Sequence, residues 1–250
     1  MANTNILPVS EAAVLDAVTT GIQWQQQRAN WLYRGLLAGT LTVTDNDAIR
    51  SYAITLHELG IVPIPDGRLV AGDPYVMPAD AQPFSQAVPA GEHTAVAAIA
   101  TIGEGHIRIA AGVIRFANQP IARWEMGRTR SDLAADTFEV GDFTGYGVDA
   151  GAGCFASPAA LTAVNEILSA DGGMLTDPIS HTLDGDLESG VVAPRAGALP
   201  IAVFHSGWGD GIYPTWFGYA ADGSIAVAVT DFELFEDPYL WDRSSPLAGA

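Results

Sequence analysis

The sequence predicts an α+β fold: a mostly antiparallel β sandwich or curved sheet, with an N-terminal helical hairpin and one inserted helix. Three observations carry this. Apolar residues recur near helical spacing in the first sixty residues. From Ile61 the period shortens to that of strands, with turn residues between them. One later segment, "SPAALTAVNEILSA", opens with Ser157 and Pro158, the residue types that start helices.

In chain order, Ser10 is the expected cap of a first helix. After it Val14, Leu15, Val18, Ile22, Ala29, Leu32 and Leu36 lie near one face, and Gly39 is the expected stop. Thr44 or Asp45 would cap a second helix, "DNDAIRSYAITLHELG", that Gly60 ends. "IVPIPDGRLVAGDPYVM" reads as strand, Pro-Asp-Gly turn and strand. "GEHTAVAAIATIGEGHIRIAAGVIRFANQPIARWEMG" holds three or four strands, with turns at "GEG" and "NQP". "GYGVDAGAGCFAS" is a strand entering a glycine-rich loop, and Pro158 then begins the inserted helix. "DGGMLTDPISHTLDGDLESGVVAPRAG" shows no clear period and is expected to be a polar loop region. "LPIAVFHSG", "YPTWFGYAADG" and "SIAVAVTDFELF" read as the last strands, with a turn at Asp222-Gly223. The expected organisation is a helical extension over residues 1–60, a β-rich core over 61–238 and a tail over 239–250.

Charge and cysteine usage narrow the function. The 250 residues carry 29 acids against 11 bases, a net charge of −18, and every base is Arg. Such a surface repels nucleic-acid phosphates and anionic membranes, and suits divalent cations or basic partners. No stretch approaches the ~20 apolar residues of a membrane span. Cys154 is the single cysteine, so no internal disulfide can form, and no secretory leader pattern opens the chain. A cytoplasmic protein is the expectation.

The chemistry-bearing residues cluster at "SGWGDGIY". Glycines on both sides of Asp210 let backbone approach a ligand closely. A carboxylate there can ligate a metal, act as a general base or grip a hydroxyl. Trp208 and Tyr213 would wall a ring or sugar, with Ser206 beside them and His205 as a proton shuttle. A tight turn with core aromatics explains the same residues without a ligand. In "VDAGAGCFASP", Asp149 ends a strand and Cys154 precedes a helix; a Cys154–His205 pair and a small buried apolar cysteine both fit. Trp124 and Glu125 are adjacent, so as strand residues they face opposite ways. Asp231 ends the last strand. Asp210, Asp149 and Asp231 are the candidate metal ligands; the sequence names no cofactor, and a divalent cation, calcium or magnesium, is the one these acids would suit.

Several motifs are excluded. "FHSGW" has Phe204 where a nucleophile elbow needs Gly. "DGDLESGVVAPR" places Ser189 and Arg195 where a calcium loop needs Gly and Glu. The five histidines lack zinc-ligand spacing, and there is no phosphate-binding glycine loop.

"GRLVAGDPYV", "VPAGEHTAVAAIA", "WEMG", "GYGVDAGAGCF", "SGWGDGIYPTWFGY" and "AVTDFEL", in this order, resemble a bacterial family known as domain of unknown function 4241. The resemblance spans roughly Gly67 to Phe235. It implies no activity. It does imply that Asp73, Glu125, Asp149, Asp210 and Asp231 lie in recurring blocks, as acids of a pocket would.

Two classes stand. One is an enzyme, a hydrolase or lyase acting on a small polar substrate, with Asp210, Asp149, His205 and Glu125 as its catalytic groups. The other is a non-enzymatic binding or accessory protein of the immunity type, meeting a basic partner. A homo-oligomer built through the N-terminal helices is a further expectation. It rests on Trp24, Trp31, Tyr33 and Leu36, which spread over more than one helix face.

Overall fold

The computed structural model describes residues 26–45, 48–132, 143–169, 177–185 and 187–235. The chain enters as a helix, α1, over residues 26–38, followed by β1 (Thr40–Asp45), β2 (Ala48–Ile64) and β3 (Val70–Gly72). Then come β4 (Gly91–Gly103), β5 (His106–Arg115), β6 (Arg123–Met126), β7 (Tyr146–Val148) and β8 (Ala152–Ala156). Two helices follow, α2 (Pro158–Ser169) and α3 (Pro178–Leu183). The last strands are β9 (Ser189–Val192), β10 (Ile201–His205), β11 (Gly211–Tyr213), β12 (Thr215–Tyr219) and β13 (Ile225–Asp231).

The strands form three antiparallel sheets. A seven-stranded sheet, in the order β1-β2-β4-β5-β13-β12-β6, curls into a half-barrel. A four-stranded sheet, β3-β8-β10-β9, packs on it, and β11 pairs with β7 as a short ribbon. The α+β, mostly β class read from the sequence is the class observed.

Side-chain alternation builds the layers. Val227 and Val229 of β13 point to α1, where Ala29, Leu32, Tyr33 and Leu36 meet Trp124 and Trp216. Ala228 points the other way, into the core between the sheets with Phe155, Phe204 and Phe217. Phe155 on β8 faces that core too, while Cys154 and Ala156 face α2 and α3. Both faces of these strands are covered, which is why they read as unbroken apolar runs.

The second helix of the expected hairpin is instead β2. Tyr52, Ile54 and Leu56 pack toward α1 while Ser51, Ala53 and Thr55 are exposed, a period of two. Gly60 is not a helix stop. It sits at a register shift between Glu58 and Gly60, with φ 139°, a backbone conformation that favours glycine. Beyond that bulge the phase flips, so Val62 and Ile64 face the inter-sheet core. Strand β2 therefore crosses residue 60 without a break. Gly39 does end α1. The Ser10 cap, the helical residues before 26, Trp24 and the tail over 239–250 lie outside the described residues.

Two further differences concern the helices. Ser157 precedes α2 as expected, yet its Oγ is buried without a hydrogen-bond partner, so the hydroxyl does not cap. Helix α3 lies where a loop was expected. Asp177 caps it by accepting from the N–H groups of Ile179 and Ser180, and Pro178 follows. This is the same start signal, cap plus proline, that announced α2. Tyr33 and Leu36, part of the reason for expecting an oligomer, are buried in the chain's own core, and Trp31 packs partly against it.

Candidate functional site

The two glycine-rich loops converge. Gly211 pairs with Val148, so the chain leaving β7 at Asp149 runs beside the chain entering β11 from Asp210. The Gly151 N–H donates to Asp210 Oδ1 at 3.2 Å, and the Ser206 N–H donates to the Gly151 carbonyl at 3.0 Å. His205 Nδ1 lies 3.2 Å from that same carbonyl. A carbonyl only accepts, so Nδ1 carries the proton in this contact and Nε2 is left without a partner among the described residues.

Asp73 organises this junction from below. It is buried. Its Oδ2 accepts the N–H groups of Asp149 and Ala150 at 2.9 and 2.8 Å, and its Oδ1 accepts that of Tyr75 at 2.8 Å. A buried carboxylate is tolerated when such donors surround it. Asp73 is not among the expected site residues, because nothing local in "AGDPYV" announces contact with residues far along the chain.

The Ser206–Tyr213 loop is held from within. Ser206 Oγ donates to the Gly209 carbonyl at 2.7 Å, and Tyr213 Oη donates to the same oxygen at 2.7 Å. Gly207 has φ 52°, and a Cβ there would lie 2.8 Å from the Phe232 carbonyl. That close approach requires glycine. The constrained loop turns Trp208 outward, where it is 62% exposed, with Ile212 of the ribbon at 60%. Arg108 lies over the Trp208 ring, its guanidinium carbon 5.3 Å from the centroid, and the His106 ring stands edge-on at 6.2 Å. Sequence reasoning missed Arg108 and His106, since only tertiary packing brings the start of β5 to this loop.

The expected site residues therefore divide. Asp210 and His205 both meet Gly151, two residues beyond Asp149, and the side chains of Asp149, Asp210 and Trp208 are exposed. Ser206 and Tyr213 are buried and serve the loop, and burial, more than the nearby Asp210 charge, raises the Tyr213 hydroxyl above its ordinary range. Cys154 is fully buried, and burial first, then the Asp73 charge, pushes its thiol up. It is a core side chain rather than a substrate contact or nucleophile. Glu125 pairs with Arg123, whose guanidinium covers the Tyr219 ring, while Trp124 points inward. Asp231 lies on the α1 side of the large sheet. There it pairs with Arg28 at 3.4 Å and accepts from Tyr33 Oη at 3.0 Å. The set Asp210, Asp149 and Asp231 is thus divided, and among the described residues no cluster of three or more His, Cys, Asp or Glu could hold a metal ion.

The family model described as protein of unknown function (DUF4241) matches residues 62–230. The chain belongs to this family. The matched DUF4241 region begins within β2, ends at the penultimate residue of β13 and contains the whole Asp73–Asp149–Asp210 junction. Helix α1 and β1 precede it. No curated protein and no solved structure matches the chain. No helix among the described residues is long and apolar enough to cross a membrane, which says nothing of a β-barrel.

Proposed function

We propose that this DUF4241 protein is a binding protein whose recognition surface is the open face around Trp208, Asp149 and Asp210, and whose partner is a protein with a basic surface. One observation carries the reading. A tryptophan is held 62% exposed on a loop whose own hydrogen bonds constrain it. Exposing so large an apolar group contributes nothing to folding, whereas Trp and Arg are the residue types that anchor protein interfaces. Arg108 beside the ring and the exposed Asp210, two residues along the same loop, supply polar groups near it. The net charge of −18 favours encounter with a cationic surface.

The test is affinity capture with quantitative readout, comparing the wild type with Trp208→Ala and with Ile61→Ala, an exposed apolar control on β2. The reading expects one partner of high isoelectric point, held by wild type and Ile61→Ala, lost with Trp208→Ala, and weakened by salt. Capture that is indifferent to Trp208→Ala would overturn it.

A second reading, a hydrolase or lyase acting on a small polar substrate, draws on a different observation. His205 and Asp210 both contact Gly151, and the imidazole keeps Nε2 free. Turnover of a substrate by wild type but not by His205→Gln or Asp210→Asn would favour it.

A further inference from the structure

Helix α1 covers the large sheet only in part. Beyond its C-terminal end, near Leu37, the same sheet face continues as a groove of about 670 Å³. Small-molecule sites commonly fall within about 300–1,000 Å³. The groove lies toward the Arg115 end of β5, whereas the Trp208 face lies toward the His106 end, so the two are separate surfaces.

Register defines the floor. Thr94 of β4 is directly opposite Arg115 of β5, and Arg115 is directly opposite Val227 of β13. Val227 belongs to the core on the α1 side, so this row points to that side. Glu92 is two residues from Thr94 and shares its face. Glu58 on β2 opposes Val96, another residue of that core, and so joins the same face. Leu37 and Ile121 add apolar wall.

The charged groups here are not mutually satisfied. Arg115 meets Glu58 through one nitrogen and one oxygen at 3.4 Å, a single long contact. A guanidinium has five N–H donors, and one is engaged. Glu92 has no partner among the described residues. An under-used guanidinium and an unpartnered carboxylate thus occupy neighbouring positions of one groove, with apolar wall between sheet and helix. Arginine receives carboxylates through paired hydrogen bonds, and a carboxylate receives an ammonium.

We propose that this groove binds a small zwitterion carrying a carboxylate and an ammonium group, the chemistry of a free amino acid. Arg115 takes the carboxylate, Glu92 takes the ammonium, and Leu37 and Ile121 contact an apolar side chain.

The test is calorimetric titration of the full chain with the individual proteinogenic amino acids, using acetate and ethylamine as half-ligands. The expected result is measurable binding of at least one amino acid. Arg115→Gln and Glu92→Gln should each weaken it about tenfold or more, the loss typical of a charge-assisted hydrogen bond. Both substitutions are at solvent-facing side chains, and an unchanged melting temperature without ligand shows that the fold is kept. Trp208→Ala should leave this binding intact, which separates the groove from the partner surface. The proposal falls if no amino acid binds, if binding survives in both groove variants, or if acetate or ethylamine binds as tightly as the zwitterion.

Discussion

Asp73 Oδ2 accepts the backbone N–H of Asp149 at 2.9 Å, joining two residues 76 positions apart. The same oxygen takes Ala150 N–H, so one buried carboxylate sets the path of the loop that meets Asp210. Asp73→Ala would leave three N–H groups without their acceptor. The donors are part-buried, so water can replace some of the lost contacts, and the expected loss is about 1–3 kcal/mol, the cost of one unsatisfied donor. Urea denaturation measures it. Hydrogen exchange at Asp149 and Ala150 should quicken as well, and unchanged protection there would contradict the clamp.

Arg28 ties α1 to the end of β13. It lies 3.4 Å from Asp231 and 3.1 Å from Glu233, and Arg28 and Asp231 are both buried. Removing one member of a buried pair strands the other, at a cost of about 3–5 kcal/mol. Arg28→Met is therefore expected to destabilise by that order in chemical denaturation. The double variant Arg28→Met with Asp231→Asn should recover part of the loss, because the buried carboxylate is then neutral and the Glu233 carboxylate that Arg28 also held is partly open to water. A double variant no better than the single one would show that the pair is not coupled.

Two tryptophans give opposite expectations. Trp124 is fully buried against Tyr33, with ring centroids 5.0 Å apart, and Trp208 is exposed. Trp124→Ala should cost about 3–5 kcal/mol. Trp208→Ala should change stability by less than about 0.5 kcal/mol, as surface substitutions do. Thermal melting of the two variants side by side checks this. A large loss for Trp208→Ala would mean that the ring serves the fold.

The Cys154 thiol and the Tyr33 and Tyr146 hydroxyls all ionise at higher pH in the folded chain than outside it. Burial is the first cause for each. A group raised in this way contributes stability that is intact below its ordinary value, 9.0 for the thiol and 10.0 for tyrosine, and that is lost as pH rises above it. Stability should therefore fall on the alkaline side. Tyrosinate absorbance from the buried Tyr33 ring should appear together with loss of circular dichroism rather than ahead of it. Cys154 should resist a thiol reagent in the native protein and react fully in denaturant.

Much of the fold is legible along the chain because it rests on local rules. The turns at Asp66-Gly67 and Asp222-Gly223, the paired strands on either side of "GEG" and the α2 start at Pro158 all follow from residue type and period. The β2 segment was misread because Gly60, which marks a bulge, also looks like a helix stop, and because Thr44 and Asp45 look like caps. The α3 start carries the same local signal, Asp177 followed by Pro178, inside a segment whose overall lack of period reads as loop.

By itself the sequence determined the family, the β-rich class, the acidic charge and the presence of two aspartates, Asp149 and Asp210, in glycine-rich stretches. These depend on composition, period and contiguous motifs. The tertiary structure alone decided which partner each acid meets. Asp210 meets the Gly151 N–H on the loop that follows Asp149, while Asp231 turns to Arg28 and Glu125 to Arg123. It also decided that Ser206, Tyr213 and Cys154 face inward and that Arg108 reaches Trp208. The physical reason is that a side chain's face depends on strand register and bulges. One residue of slip, as at Gly60, exchanges inside for outside, and the partners that set that register lie far away in sequence.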